Sequence, residues 1–301
     1  MRVTSSNSAN RYIRGLQSNA QRLDKVNQQI VSQKNIGKVS DDPIKAVKAI
    51  NLRNEISTVE GLDSNAEELI GWLDNTDSAL GAIGDCMSEI KRLLTSVSGH
   101  QDTVDIEGTR KEIIEKIKQI SELFDSSYQG QKIFSGSSTS EKPVDVTINK
   151  DGTVTIDKTQ GINNDSLRAE VSPGIVIDYN STVDEVTKNG EMFDTLNDIV
   201  RTLNTIPVDM NEVGKLQSRI DSAIDGILSA RSTVGAKSNT IEHMREANKT
   251  NIEKMTETYS AIQDIDLAEK TIELKSSELV YTASLQVGAR LMQNSILDYI
   301  R

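Results

Sequence analysis

Between Leu62 and Val97 a seam residue returns at alternating steps of four and three for five heptads. Ten of these eleven positions are apolar (Leu62, Ala66, Leu69, Leu73, Leu80, Ile83, Met87, Ile90, Leu94 and Val97), and Thr76 is the exception. A 3.5-residue period held this long confines burial to a narrow seam, which a helix can cover only against another helix, in a coiled coil or an antiparallel bundle. A second long stripe lies far downstream: Val213, Leu216, Ile220, Ala223, Ile227, Ala230 and Val234 repeat by threes and fours, and Ile241 and Met244 continue it. The helical pattern then persists with few breakers almost to Arg301.

The segment between these stripes changes character. A helix carrying Ile113, Ile117, Ile120 and Phe124 is expected to end near Tyr128-Gln129-Gly130. From Ser135 to Asn189 the chain is rich in Gly, Ser, Thr, Val and Ile. Val144, Val146 and Ile148 alternate with polar residues, as do Val154 and Ile156, with Asn149-Lys150-Asp151-Gly152 as a hairpin turn between them. Ile175, Val176, Ile177 and Tyr179 predict a further short strand. Phe193, Leu196, Val200 and Leu203 form a short amphipathic helix before Pro207. The expected fold is mainly α with a small β insertion: a long antiparallel helical bundle or coiled coil formed by the N- and C-terminal halves, with the β-rich domain at its tip. The expected domains are a terminal helical pair (1–40 with 260–301), a long bundle (41–137 with 190–259) and the β domain (138–189).

Both ends carry amphipathic stripes that cannot be buried by one helix alone. The N-terminal stripe runs Ala9, Ile13, Leu16, Ala20, Leu23 and Ile30, with Asn27 as its polar member. It is expected to stop near Asn35-Ile36-Gly37, with the glycine as C-cap. Asp42 followed by Pro43 then starts the next helix, the carboxylate capping it and the proline standing where an amide hydrogen is dispensable. The C-terminal stripe runs Ile265, Ala268, Ile272, Leu279, Ala283, Val287 and Leu291, and a second one (Tyr281, Leu285, Met292, Ile296, Tyr299) lies beside it. A helix apolar on two faces asks for two partners: the other end of the chain and a neighbouring copy. Ile13, Leu16, Leu23, Ile30, Ile265, Ile272, Leu279, Leu285, Val287, Leu291 and Ile296 are therefore the candidate assembly residues.

Composition narrows the function classes. Forty-five acidic residues against 34 Lys and Arg give a net charge of −11, which disfavours nucleic acid and anionic membrane surfaces. Cys86 is the lone cysteine, expected as a small buried hydrophobe, so intramolecular disulfides and Cys-based zinc sites are excluded. His100 and His243 stand apart from any metal-ligand spacing, and neither a metal nor a cofactor is expected. Asp145, Asp151, Asp157, Asp165 and Glu170 crowd the β segment, but acidic residues of a hairpin-rich surface are usually just solvated, and no enzymatic activity is expected. Asn164, Asn180 and Asn248 head glycosylation sequons, a pattern common by chance. Neither a cleavable secretory signal nor a membrane span is expected from the hydropathy of the chain.

Three segments carry a resemblance. Asn35-Ile36-Gly37-Lys38-Val39-Ser40-Asp41-Asp42-Pro43 resembles, through its closing Ser40-Asp41-Asp42-Pro43, the "[SA]-D-D-[PA]" segment near the start of bacterial flagellin-family proteins. Ala230-Arg231-Ser232-Thr233-Val234-Gly235-Ala236-Lys237-Ser238-Asn239 is similar to their "A-R-x-x-x-G-A-x-x-N", and Asp264-Ile265-Asp266-Leu267-Ala268-Glu269 to their "D-x-D-[LF]-A-E". Within the family, Asp42-Pro43, Ile133-Phe134-Ser135-Gly136 and the closing Ser295-Ile296-Leu297-Asp298-Tyr299-Ile300 resemble the hook–filament junction branch (hook-associated proteins of type 3) more than filament subunits. The resemblance implies an extracellular structural subunit of the flagellum, exported unfolded without a cleaved signal and joining hook to filament in a ring or helical assembly of copies. It also implies contacts with another hook-associated protein and with flagellin or hook subunits, ends disordered in the free monomer, and an export chaperone at the C-terminal region, for which Leu279, Leu285 and Leu291 are candidates by periodicity. The alternatives are a filament flagellin and, from another class, a cytoplasmic coiled-coil scaffold.

Overall fold

The computed structural model describes residues 2–97, 103–149, 153–162, 165–205 and 208–297, with side chains described from residue 7 (Ser8 excepted) to residue 290 and excluding 103–105. The chain is mainly helical: α1 (Arg2–Ser32), α2 (Pro43–Val97), α3 (Thr103–Phe124), α4 (Val183–Thr187), α5 (Glu191–Asn204), α6 (Met210–Gln263) and α7 (Leu267–Leu297). Six short strands, β1 (Ser127–Tyr128), β2 (Gln131–Lys132), β3 (Val144–Ile148), β4 (Val154–Lys158), β5 (Arg168–Ser172) and β6 (Ile175–Asp178), pair as three antiparallel two-stranded sheets, β1–β2, β3–β4 and β5–β6. The backbone forms two compact units: Met1–Thr58 with Asn251–Arg301, and Val59–Thr250.

In the second unit the heptads are buried as their period demands. From Ala66 to Val97 every apolar member of the seam lies in the core, and Leu62 is half-buried. Thr76 is also fully buried, its hydroxyl donating to the Trp72 carbonyl at 2.9 Å, so the one polar position is satisfied inside its own helix. α6 runs antiparallel to α2 and buries Val213, Leu216, Ile220, Ala223, Ile227, Val234 and Ile241. Arg231 clamps Asp77 through two N–H donors at 2.8 and 2.9 Å, and this guanidinium holds the Asp77 carboxyl below the usual carboxylate range. Arg245 bonds Glu67 at 2.8 Å further along the same pair. α3 adds Ile113, Ile117, Ile120 and Phe124, all without exposed surface. The three phenylalanines of the chain form one edge-on cluster: Phe124 meets Phe134 at 5.3 Å and Phe193 at 5.8 Å between ring centroids. Cys86 is buried here, and burial pushes its thiol pKa up.

The β hairpins share this core, contributing Val144, Val154, Ile156 and Val171. An isolated two-stranded hairpin is marginal in water, and two asparagines fasten these to helices. Asn197 of α5 accepts from the Ile156 N–H at 2.8 Å and donates to its carbonyl at 3.0 Å, acting as one residue of a neighbouring strand on the β4 edge. Asn248 of α6, 2% exposed, donates to the Val171 carbonyl at 2.7 Å and accepts from the Ser172 hydroxyl at 2.9 Å, at the irregularity in the β5–β6 register. Those bonds occupy its carboxamide, and Asn180 is likewise buried and bonded, so two of the three sequons are closed in the folded chain; Asn164 lies outside the described residues.

The elements depart from expectation at four places. The helix expected to end at Tyr128–Gly130 stops at Phe124, because Gln129 and Gly130 both take positive φ (51° and 82°) and turn the β1–β2 hairpin. β5 (Arg168–Ser172), a strand not expected, pairs with the expected β6 strand. Gln33, at φ 55°, ends α1 in place of a Gly37 cap. Finally, the C-terminal helical run is broken at Asp264-Ile265-Asp266, where Asp266 caps α7 by accepting from Ala268 N at 2.8 Å and Glu269 N at 3.2 Å. The expected Asp42 cap is present: its carboxylate accepts from Lys45 N at 3.1 Å. The turn at Lys150–Gly152 lies outside the described residues.

Candidate assembly surface on the terminal helices

α1 and α7 pack as an antiparallel pair within the first unit, joined beyond their ends by an antiparallel bridge between Lys34 and Asp264. The connecting loop is held by amides. Asn35 N donates to the Gln263 carbonyl at 2.6 Å, Gln29 Nε2 to the Asn35 carbonyl at 2.7 Å and Gln263 Nε2 to the Ile36 carbonyl at 3.1 Å. Gln29 and Gln263 are each 9% exposed, so these bonds form where water does not compete freely. Asp41 accepts from Lys38 N at 3.1 Å and pairs with Lys25 at 3.2 Å; the Lys25 bond draws the Asp41 carboxyl below its ordinary pKa. The Asn35–Pro43 segment is thus a built joint, with Asp41 fastening the loop to α1 and Asp42 starting α2.

The seam positions of α1 are Tyr12, Leu16, Asn19, Leu23, Val26 and Ile30, again by fours and threes, with Ala20 and Gln29 covered beside them. Leu16, Leu23 and Ile30 stand in the seam as expected. Ile13 does not: it is 43% exposed, Ala9 and Asn27 also face outward, and Tyr12, Asn19 and Val26 fill the intervening places. On α7 the offset is larger. Its inward residues are Leu274, Ser277, Tyr281, Ser284 and Gly288, while the expected stripe lies outside, with Ile272 72%, Leu279 71% and Val287 53% exposed. Ile272 and Tyr281 are nine residues apart, two and a half turns at 3.6 residues per turn, and so occupy opposite sides of the helix. Val280 and Leu285 are exposed too, and Ile265 is half-buried at the break before α7. Leu291 and Ile296 lie outside the residues whose side chains are described.

The reason for the offset is close approach. Tyr12 donates its hydroxyl to the Ser284 carbonyl at 2.5 Å and Asn19 donates to Ser284 Oγ at 2.9 Å, contacts that a Leu or Val at 284 or 288 would push apart. On α7 small residues occupy the close-approach positions beside Leu274 and Tyr281, and Ile272, Leu279 and Val287 face away from α1. Among the described residues no cluster of His, Cys, Asp and Glu could hold a metal ion; Glu170 bonds the Gly174 N–H, and Asp145 stands opposite Asp157 across the β3–β4 ladder. His243 is exposed; His100 and Asp151 lie outside the described residues. No described helix is long and apolar enough to cross a membrane.

Known proteins match at the same two ends. The family model for the bacterial flagellin N-terminal helical region matches residues 3–139, and that for the C-terminal helical region matches residues 217–300. Flagellin of Bacillus subtilis (strain 168) is 21% identical over 316 residues, with 100% of each chain covered. Among solved structures, one described as a flagellar hook-associated protein of Vibrio parahaemolyticus aligns at TM-score 0.66 and 22% identity, covering 74% of this chain and all of the other. Bacillus cereus FlgL aligns at TM-score 0.56 and 18% identity over 70% of this chain and 99% of its own. The flagellar junction protein FlgL of Legionella pneumophila aligns at 0.57 and 14%, over 72% and 100%. At these identities the structural likeness is one of fold. The two flagellin models together match well over half of the residues, at both helical ends and in the right order: the chain belongs to the bacterial flagellin family.

Proposed function

We propose that this chain is a structural subunit of the bacterial flagellum and serves as the adapter between hook and filament. The observation that carries the assembly part is the outer face of α7. Ile272, Leu279, Val280 and Val287 form an exposed apolar stripe on the side of α7 turned away from α1, and exposed apolar patches mark interaction surfaces. Neighbouring copies cover that face in a ring or short helical array, since head-to-tail contacts that are not self-complementary close into rings or helices. The work is mechanical: seams of apolar area, each worth roughly 25 cal/mol per Å², hold the joint against torque without covalent chemistry.

The choice of junction over filament is supported by the Asp42-Pro43 joint, the small β segment and the likeness in fold to hook-associated and junction proteins. The competing reading, a filament flagellin, draws on the full-length match to the Bacillus subtilis protein. On the junction reading the chain stands outside the cell, exported without a cleaved signal. It contacts another hook-associated protein and flagellin or hook subunits, is met by an export chaperone at its C-terminal region and catalyses no reaction. Removing its gene tests this. Bare hooks with flagellin shed into the medium are expected. Hooks with no abundant flagellin anywhere would make the chain the filament itself, and intact filaments would exclude both roles.

A further inference from the structure

A heptad seam has a weakness that its apolar members do not cure: sliding one helix by seven residues restores the same pattern of faces about 10 Å further along the axis. In the α1–α7 pair such a slip would carry Ile272, Leu279, Leu285 and Val287 along the axis and present them to a neighbour at the wrong height. Four residues stand against it. Tyr12 lies across the α7 backbone at Gly288, where a Cβ would overlap its hydroxyl and come within 2.5 Å of Cζ and 2.8 Å of Cε1. Its hydroxyl donates to the Ser284 carbonyl at 2.5 Å, and one heptad on, Asn19 donates to Ser284 Oγ at 2.9 Å. The Ser284 hydroxyl in turn donates to the Val280 carbonyl at 2.7 Å, which leaves its oxygen aimed to accept the Asn19 amide.

We propose that Tyr12, Asn19, Ser284 and Gly288 are a register lock for the terminal helices, fixing the height at which each copy presents the outer apolar residues of α7 to the next. Both one-heptad slips are blocked, each by a different member. In one direction Tyr12 leaves Gly288 and meets Tyr281, where two rings need the space of one. In the other, Asn19 leaves Ser284 and meets position 291, a leucine, so its amide is left unpaired in the seam. A polar residue at a seam position selecting one register is an attested use of such residues in coiled coils. The lock itself is a property of the α1–α7 pair; its role in presentation rests on the assembly reading above.

The test is a size swap in the full-length chain. Amide exchange of residues 8–30 and 270–290 is followed in the purified protein at rising concentration, and filaments per cell are counted in the deletion strain complemented with each variant. Gly288→Ala is expected to lose at least tenfold in seam protection and in filaments, although alanine is the better helix former. Tyr12→Ala in the same chain is expected to restore seam protection to within threefold of wild type, which no general loss of folding would do, while filaments stay at least tenfold down because the slip that sets position 12 against Tyr281 is no longer blocked. A Gly288→Ala chain protected as well as or better than wild type overturns the lock, as does failure of Tyr12→Ala to restore its protection, wild-type filament numbers in that double variant, or seam amides unprotected in wild type at every concentration. Filaments intact without the gene would defeat the junction reading and leave the exchange result to decide the lock.

Discussion

Cells whose only copy of this chain carries Ile272→Asp and Leu279→Asp are expected to lose their filaments while the chain itself remains folded and exported. Both residues are more than two-thirds exposed on the face of α7 opposite α1, so neither change touches the seam or the core of the second unit. In the assembly both would be covered. Each loses about 1.5–3 kcal/mol of apolar burial and replaces it with a carboxylate that must be desolvated at the interface. Together they remove at least about 4 kcal/mol per interface, roughly a thousandfold in association. Filaments per cell counted by electron microscopy measure the effect, and circular dichroism of the purified variant checks the fold. Wild-type filament numbers would mean that this face is not an interface.

Phe124→Ala is expected to do the opposite damage, weakening the fold before any assembly. The ring is fully buried and touches both other phenylalanines, at the point where α3, α5 and the segment after β2 meet. Truncation of a buried Phe costs about 3–5 kcal/mol through lost transfer energy and the cavity left behind, against about 5–15 kcal/mol of total stability for a typical domain. Urea unfolding followed by Trp72 fluorescence reads it directly, because Trp72 is 4% exposed in the same core and packs edge-on against Tyr128 and Tyr179. The midpoint should fall steeply with little change in slope. A loss under about 1 kcal/mol would show that the aromatic cluster can collapse and is not what holds these elements together.

The parts of the fold legible in the sequence were those held by large apolar side chains. The α2 and α6 stripes identified their own buried faces because Leu, Ile and Met sit where the seam needs volume, and the alternating valines and isoleucines of β3 and β4 marked strands. What escaped was structure made by small, polar or positive-φ residues. On the α7 side the seam sets Ser277, Ser284 and Gly288 beside Leu274 and Tyr281, and these three small residues carry no hydrophobic signal, so the most visible stripe on α7 is the one turned away from its partner helix. The α1 end was placed at Gly37 because glycine most readily takes the left-handed conformation, whereas Gln33 takes it here. β5 carries only a short signal, two apolar residues alternating with three polar ones, and its docking depends on Asn248, 77 residues away in sequence from Val171, a partner that no local pattern announces. The sequence shows that the terminal helices carry apolar residues on more than one side, while the division into residues covered by the α1–α7 pair and residues left exposed is visible only in the packed pair.

The most direct test of the account is to locate the chain on intact flagella with gold-labelled antibody under the electron microscope. The junction reading predicts label confined to one narrow band where the hook meets the filament. Label distributed along the whole filament would identify a filament subunit instead, and label absent from hook and filament alike would contradict the account.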